Sequence, residues 1–453
     1  MKRIEYDSLG PVEVEAEALW GPQTQRSLGN FPIGEEKMPR EIILAFAVLM
    51  QGAAEANHRL GVLEGEKLKA IASVCDEIQV GELAGEFPLS VWQTGSGTQT
   101  NMNLNEVIAN RGNQLAGKKL LHPNDDVNKS QSSNDTYPSA MRIAGARALA
   151  EGLLPALEEL TGELRSLEER YPELVMMGRT HLQDAVPLRF CQMVSGWRTA
   201  LEADGAALRQ SLDALYALPL GGTAVGTGLN APKGFDALSA ELIAMYTGLP
   251  FRTAENKFRT LSSLGDFAAA HGCLKALAAD LMKLSNDVRW LASGPRGGLG
   301  ELEIPANEPG SSIMPGKVNP TQCEALTMVA ARVMGNDVTV GMAASQGNFQ
   351  LNVFLPVTAY SFLQSVRLLG DAMASFHTRC LAGLRPREDV MAGHLRRSLM
   401  NVTALSPAIG YDKAAEVAKT AHREDITLAR AAEELGYLSA EDAEKLLDPR
   451  KMV

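Results

Sequence analysis

Leu153, Leu157, Leu160, Leu164 and Leu167 step by four and three, the spacing that places apolar side chains on one face of an α-helix. The step recurs at Leu274, Leu277, Leu281, Leu284, Val288 and Leu291, and again at Phe362, Val366, Leu369 and Met373. Alternating, strand-like runs are hard to find. The pattern predicts a mainly α chain of long helices, each hiding one apolar stripe in a bundle. Such stripes are core and carry no chemistry, but seams longer than one chain can cover point to oligomerisation. Composition shifts suggest three regions: mixed short elements over 1–131, a helical centre over 132–388, and a shorter, more charged tail over 389–453.

Four polar stretches break the helical pattern, each ahead of a helix-like run: QTGSGTQTNMN (93–103), KSQSSNDTYP (129–138), GRTHLQDAVP (178–187) and NEPGSSIMPGKVNP (307–320). The run after the first stretch is expected to end at Gly112. In the last, Asn319, Pro320 and Gln322 have the residue types of an N-cap, a first helical position and the third position of a capping box. Lys317 would then sit beside a helix N-terminus, where free N–H groups favour an anion. Singly, such stretches are caps and turns. Four together, with Lys317 and His181 among them, read as hydroxyl and amide donors for a small polyanion.

Charge and motif spacing narrow the chemistry. The formal net charge of −11 argues against a broad nucleic-acid or anionic-membrane surface. No run offers the roughly 18 consecutive apolar residues of a membrane span, and MKRIEYDSLGPVEVEAE turns acidic at once without the apolar core of a signal peptide, so a cytoplasmic location is expected. Cys75, Cys191, Cys273, Cys323 and Cys380 are scattered and form no CxxC pair. The histidines at 58, 122, 271, 377, 394 and 422 show no HxxxH spacing, and no metal is expected. Gly310 and Gly316 enclose five residues where a P-loop has four, and Val318 follows the lysine where Ser or Thr is needed. GTGLNA (226–231) matches GxGxxA, but no strand precedes it, so no dinucleotide site is expected.

GSSIMPGKVNP resembles the signature loop of the aspartase/fumarase superfamily. TGSGTQTNMN, HPNDDVNKSQSSND, GRTHLQDA and GGTAVGTGLN follow in that superfamily's order, and the whole chain is similar to the iron-independent class II fumarate hydratases. Aspartate ammonia-lyases are the alternative, but they usually carry Ala where this chain has Gly316, and their HPN segment continues differently. An inactive structural or binding homologue is an alternative of another class, and a nucleotide-binding protein a more distant one.

The resemblance implies a three-domain fold whose central helices form a twenty-helix core in a homotetramer, with active sites shared between three subunits. It implies reversible hydration of fumarate to L-malate, the citric acid cycle step, with no metal, nucleotide or flavin cofactor. Ser311 is implied as the base that takes the C3 proton, and His181 as the other half of the acid–base pair, with Glu324 as its carboxylate partner. Lys317 and Asn319 would hold a carboxylate and the developing dianion. Ser96, Gly97, Thr98, Ser132, Ser133, Asn134, Thr180, Ser312 and Val318 complete the implied substrate contacts. A serine hydroxyl is too weak an acid to ionise unaided, so Gly310 and Gly316 are expected to let backbone amides converge on it. A secondary dicarboxylate site falls on Lys119, His122, Pro123, Asn124 and Asp125. Its usual basic residue, commonly Arg, directly precedes HPND, whereas Lys119 stands three residues ahead of His122 and lacks the arginine fork.

Overall fold

The computed structural model describes residues 1–453 and is mainly α. Ser133–Arg147, the π-helical turn Ala148–Leu153 and Leu154–Arg170 follow one another along the chain without a break. Leu153, Leu157, Leu160, Leu164 and Leu167 are all buried along this stretch. Gly265–Leu291 and Leu355–Arg379 bury their own predicted stripes in the same way, and Phe190–Leu215 and Thr321–Ala344 are the other long helices. No helix is long and apolar enough to cross a membrane.

The chain divides into two compact units. One comprises Met1–Pro155, Asp204–Ala278 and Val329–Asp371; the other comprises Ala156–Ala203, Ala279–Met328 and Ala372–Val453. In the first, the helix Arg40–Arg59 packs on Gly65–Val80, Ser133–Arg147 and Phe235–Thr247. Phe46 meets the Tyr137 ring edge-on there, with centroids 5.9 Å apart. A charge lies inside this core: Arg142, fully buried, pairs with Asp266 at 2.8 Å and donates to the Ala214 carbonyl at 2.7 Å. In the second unit the short helices Tyr411–Glu424, Leu428–Glu434 and Ala440–Leu446 close around Leu405, Val417, Ala431 and Ala432.

Three local expectations are corrected. Strands exist: Lys2–Asp7 pairs with Gly10–Glu15 and Val175–Thr180 with Gln183–Arg189, both antiparallel. The first strand escapes a hydrophobicity reading because its half-buried positions are Arg3, Glu5 and Asp7, held by ion pairs, while Ile4 and Tyr6 face outward; its partner turns Val12 and Val14 inward beside exposed glutamates. Gly112 does not end its helix, which runs Thr98–Ala116 and stops at left-handed Gly117. Gly112 serves close packing instead, since a Cβ there would lie 2.6 Å from Leu121 Cδ1. The capping box after the signature loop is absent. Its helix begins at Thr321 on the Pro320 carbonyl, Asn319 donates to the Gly310 carbonyl at 2.7 Å, and Gln322 accepts the Ser375 hydroxyl at 2.7 Å. The capping box lies at Ser132 and Asp135.

Candidate active site

In the first unit two helix N-termini converge. Gly97 starts Thr98–Ala116 with φ +72°, and its Cα presses so closely on Tyr137 that a Cβ would lie 2.0 Å from the ring. Only glycine meets both conditions. Ser96 Oγ lies 2.9 Å from Thr98 Oγ1, so the two hydroxyls share one spot at the start of that helix. Ser132 caps the second helix, Ser133–Arg147, accepting from Asn134 N at 3.3 Å. Asn101 joins the two ends: its Nδ2 donates to Ser133 Oγ at 2.9 Å and to Asn128 Oδ1 at 3.1 Å, and its Oδ1 accepts from Thr136 Oγ1 at 3.2 Å. Predicted donors from two distant motifs thus share one neighbourhood, with two helix dipoles behind them.

A third loop joins them. The buried Asp135 carboxylate accepts Ser132 N at 2.9 Å, Gly221 N at 2.9 Å and Thr223 N at 2.7 Å, and Asn134 Nδ2 donates to the Ala224 carbonyl at 2.9 Å. The GGTAVGTGLN loop is therefore part of this site's frame, and what precedes it is a strand of two residues, Ala217–Leu218. Burial pushes the Asp135 pKa up to about 6, while the three N–H groups pull the other way.

The segment predicted as the secondary site is a separate turn. Asn113 Oδ1 accepts Leu120 N and Leu121 N at 2.6 and 2.7 Å, fixing the chain between exposed Lys119 and His122. His122 caps the π-helical turn Pro123–Val127 through its Nδ1, which accepts Asp125 N at 3.2 Å. Asp126 secures the turn by accepting His122 N and Lys67 Nζ, each at 2.8 Å. Asn124 and Asp125 project into solvent.

The second unit holds the remaining candidates. His181 and Leu182 form the two-residue tip between Val175–Thr180 and Gln183–Arg189, with φ +54° and +61°. That is the type I′ hairpin geometry normally supplied by Asn-Gly, here built from two side-chain-bearing residues. The tip presents the Thr180, His181 and Leu182 side chains to solvent. In the signature loop, Ser311 Oγ accepts the N–H groups of Ile313 at 3.3 Å and Met314 at 3.1 Å. Gly310 N donates to the Lys317 carbonyl at 2.9 Å, close enough that a Cβ on Gly310 would sit 2.5 Å from that oxygen. Gly316 takes φ +82°. The expected curl of the loop is therefore present. Ser312, Lys317, Val318 and Glu324 are exposed, and no hydrogen bond within the chain joins His181 to Glu324.

Three residues with structural weight here went unassigned in the sequence: Asn101, Asp135 and Glu301. The first two lie inside quoted motifs, and the S-x-x-D capping signature marks Asp135. Glu301 lies 122 positions from its partner Arg179 and carries no local signal. No group of three or more His, Cys, Asp and Glu side chains gathers in a way that could hold a metal ion.

A family profile described as Lyase matches residues 10–335, and one described as Fumarase C C-terminus matches 402–453. Over its whole length the chain is 56% identical to the class II fumarate hydratase of Helicobacter pylori, 98% of which it covers. The chain belongs to the class II fumarate hydratase family. The Bacillus subtilis class II fumarate hydratase is 55% identical over 100% of this chain and 98% of its own length. Among solved structures, the class II fumarase from Schistosoma mansoni superposes with a TM-score of 0.97 at 40% identity, covering 100% of this chain and 99% of that one. A Brucella melitensis protein described as fumarate lyase:delta crystallin gives 0.95 at 38% identity, again over 100% and 99%. The mainly α architecture is thus that of class II fumarase structures, and the likeness to class II fumarate hydratases spans every motif described above.

Proposed function

We propose that the chain catalyses the reversible, stereospecific hydration of fumarate to L-malate by acid–base chemistry. The observation that carries this reading is the Ser311 oxygen seated under two backbone N–H groups in a loop shaped by Gly310 and Gly316. Dehydrating malate means removing a weakly acidic proton beside a carboxylate and expelling hydroxide from the next carbon. The first step places two negative charges on the carboxylate oxygens, so donors must stand where that charge grows. The Ile313 and Met314 amides stabilise the Ser311 oxyanion, which takes the C3 proton. Lys317 supplies the nearby positive charge. Asn319 Nδ2 has one hydrogen on the Gly310 carbonyl, leaving its second for the substrate.

His181 acts on the departing hydroxyl, directly or through a water, with the Glu324 carboxylate orienting its ring. Ser96, Gly97, Thr98, Ser132, Ser133, Asn134, Thr180, Ser312 and Val318 hold the substrate. The segment Lys119, His122, Pro123, Asn124 and Asp125 serves as a secondary dicarboxylate site, bound less rigidly because Lys119 is a point charge.

Assembly as a homotetramer, with each active site drawn from three subunits, is part of the same reading. Met328, Ala331, Gly335, Val338 and Met342 step by three and four along Thr321–Ala344, and all are exposed. Met328, Val338 and Met342 are 68%, 62% and 65% accessible, an apolar helix face of the kind that packs on another copy. Exposure of Ser312, Lys317, Glu324 and His181 fits a site completed by neighbouring chains. A division at 1–131, 132–388 and 389–453 and a cytoplasmic location belong to the reading as well. The test is loss of fumarate absorbance on hydration without added metal, with aspartate as control. Ammonia release from aspartate and no change in fumarate would overturn it.

A further inference from the structure

We infer that Glu301 is a positioning residue for the hairpin that carries His181, with His394 as its second anchor. The inference rests on the hydratase reading, in which His181 is an acid–base group, and adds a residue that reading does not use. An open pocket of about 660 Å³ lined by Met176, Gly178, Leu188 and Trp290 among others adjoins the hairpin, and Leu182 at its tip is exposed, so close apolar packing does not fix the tip. An ion pair does. Arg179, two residues before His181, donates Nη1 and Nη2 to the two Glu301 oxygens at 2.8 and 2.7 Å. A bidentate fork fixes the plane of the guanidinium as well as its distance, and so fixes the strand behind it.

Glu301 is itself immobilised. Its side chain is wholly buried, and its Oε1 accepts His394 Nδ1–H at 2.7 Å. Its N–H donates to the Leu291 carbonyl at 2.8 Å, and its own carbonyl accepts Arg387 N at 2.8 Å. Leu302–Glu303 then pairs with Arg385–Pro386 at the root of the segment that leads to Ser311. One carboxylate therefore references the His181 hairpin to the root of the Ser311 loop.

The test uses the full-length Glu301→Gln variant in two measurements. Amide hydrogen exchange should quicken about tenfold over residues 178–184 while the long helices keep their protection. Unchanged exchange at the hairpin overturns the inference whatever the activity shows. The kcat for malate should fall about 30-fold with KM within about threefold, the pattern of a misplaced catalytic group with intact binding. A wild-type kcat in the variant also overturns it. An inactive wild-type chain would overturn the hydratase reading alone, because hairpin exchange still decides the positioning role. Should Glu301→Gln fail to fold, position 394 decides: His394→Gln keeps an N–H donor and should stay within about threefold of wild-type kcat, while His394→Phe should lose about tenfold. Equal values for the two overturn the inference.

Discussion

The Asp135 carboxylate accepts the backbone N–H of Thr223 at 2.7 Å across 88 residues of sequence. With Ser132 N and Gly221 N on the same group, one buried carboxyl ties the Ser132 cap to the Gly221–Thr223 loop.

That lock makes stability depend on pH in a definite sense. The Asp135 pKa is raised from 3.8 to about 6 in the folded chain, chiefly by burial, so the native state holds this proton more tightly than the unfolded one. The stabilising contribution is full below about pH 3.8 and is lost as pH rises through about 6, a change of roughly 3 kcal/mol. Asp135→Asn should melt at lower temperature throughout, having fewer acceptor sites for three N–H groups, but with a flatter profile between pH 4 and 7. Thermal melts of both proteins across that range check it, and parallel curves would count against the assignment.

Ser311→Ala removes the proposed base without touching a buried contact. Turnover should fall by roughly 10²–10⁴, the usual worth of a positioned base, with melting temperature and oligomeric state unchanged. Steady-state kinetics beside size-exclusion chromatography decide, and a rate within twofold of wild type would remove Ser311 from the role.

His181→Asn and His122→Asn should separate the two histidine-bearing segments. The first keeps the left-handed turn, since Asn tolerates that conformation, yet loses proton transfer, so kcat should drop at least about 100-fold. The second should leave kcat within about twofold, because His122 belongs to a separate turn. Equal losses in the two variants would contradict the division.

Gly310→Ala should damage activity without damaging the fold. Its Cβ would stand 2.5 Å from the Lys317 carbonyl, so the loop must open, and an open loop releases the Ser311 cradle. The expected result is a kcat loss of about tenfold or more at an unchanged melting temperature. Gly117→Ala, at φ +64° with open space around it, is the contrast: full activity and about 1 kcal/mol less stability.

The leucine stripes were legible because burial and periodicity coincide, and every predicted stripe residue is buried. The Ser-x-x-Asp signature at Ser132 stands in the sequence, yet the capping box was expected at Asn319 and Gln322 instead. The hairpin under His181 was not legible, since its turn residues are His and Leu where a reader looks for Asn and Gly. Asn319 has the composition of an N-cap, but it spends its amide on Gly310, a choice set by the fold of a loop nine residues back. Glu301 could not be found at all from local pattern, since its meaning lies in partners at 179 and 394.

The exposed stripe on Thr321–Ala344 sets a condition on how the protein is made. A newly released single chain shows Met328, Val338 and Met342 to every other chain in the cell. In the proposed tetramer this face is covered, so finding the right copies competes with sticking to wrong ones. Synthesis rate, dilution and chaperone supply thereby become determinants of yield, separate from how well any folded copy works.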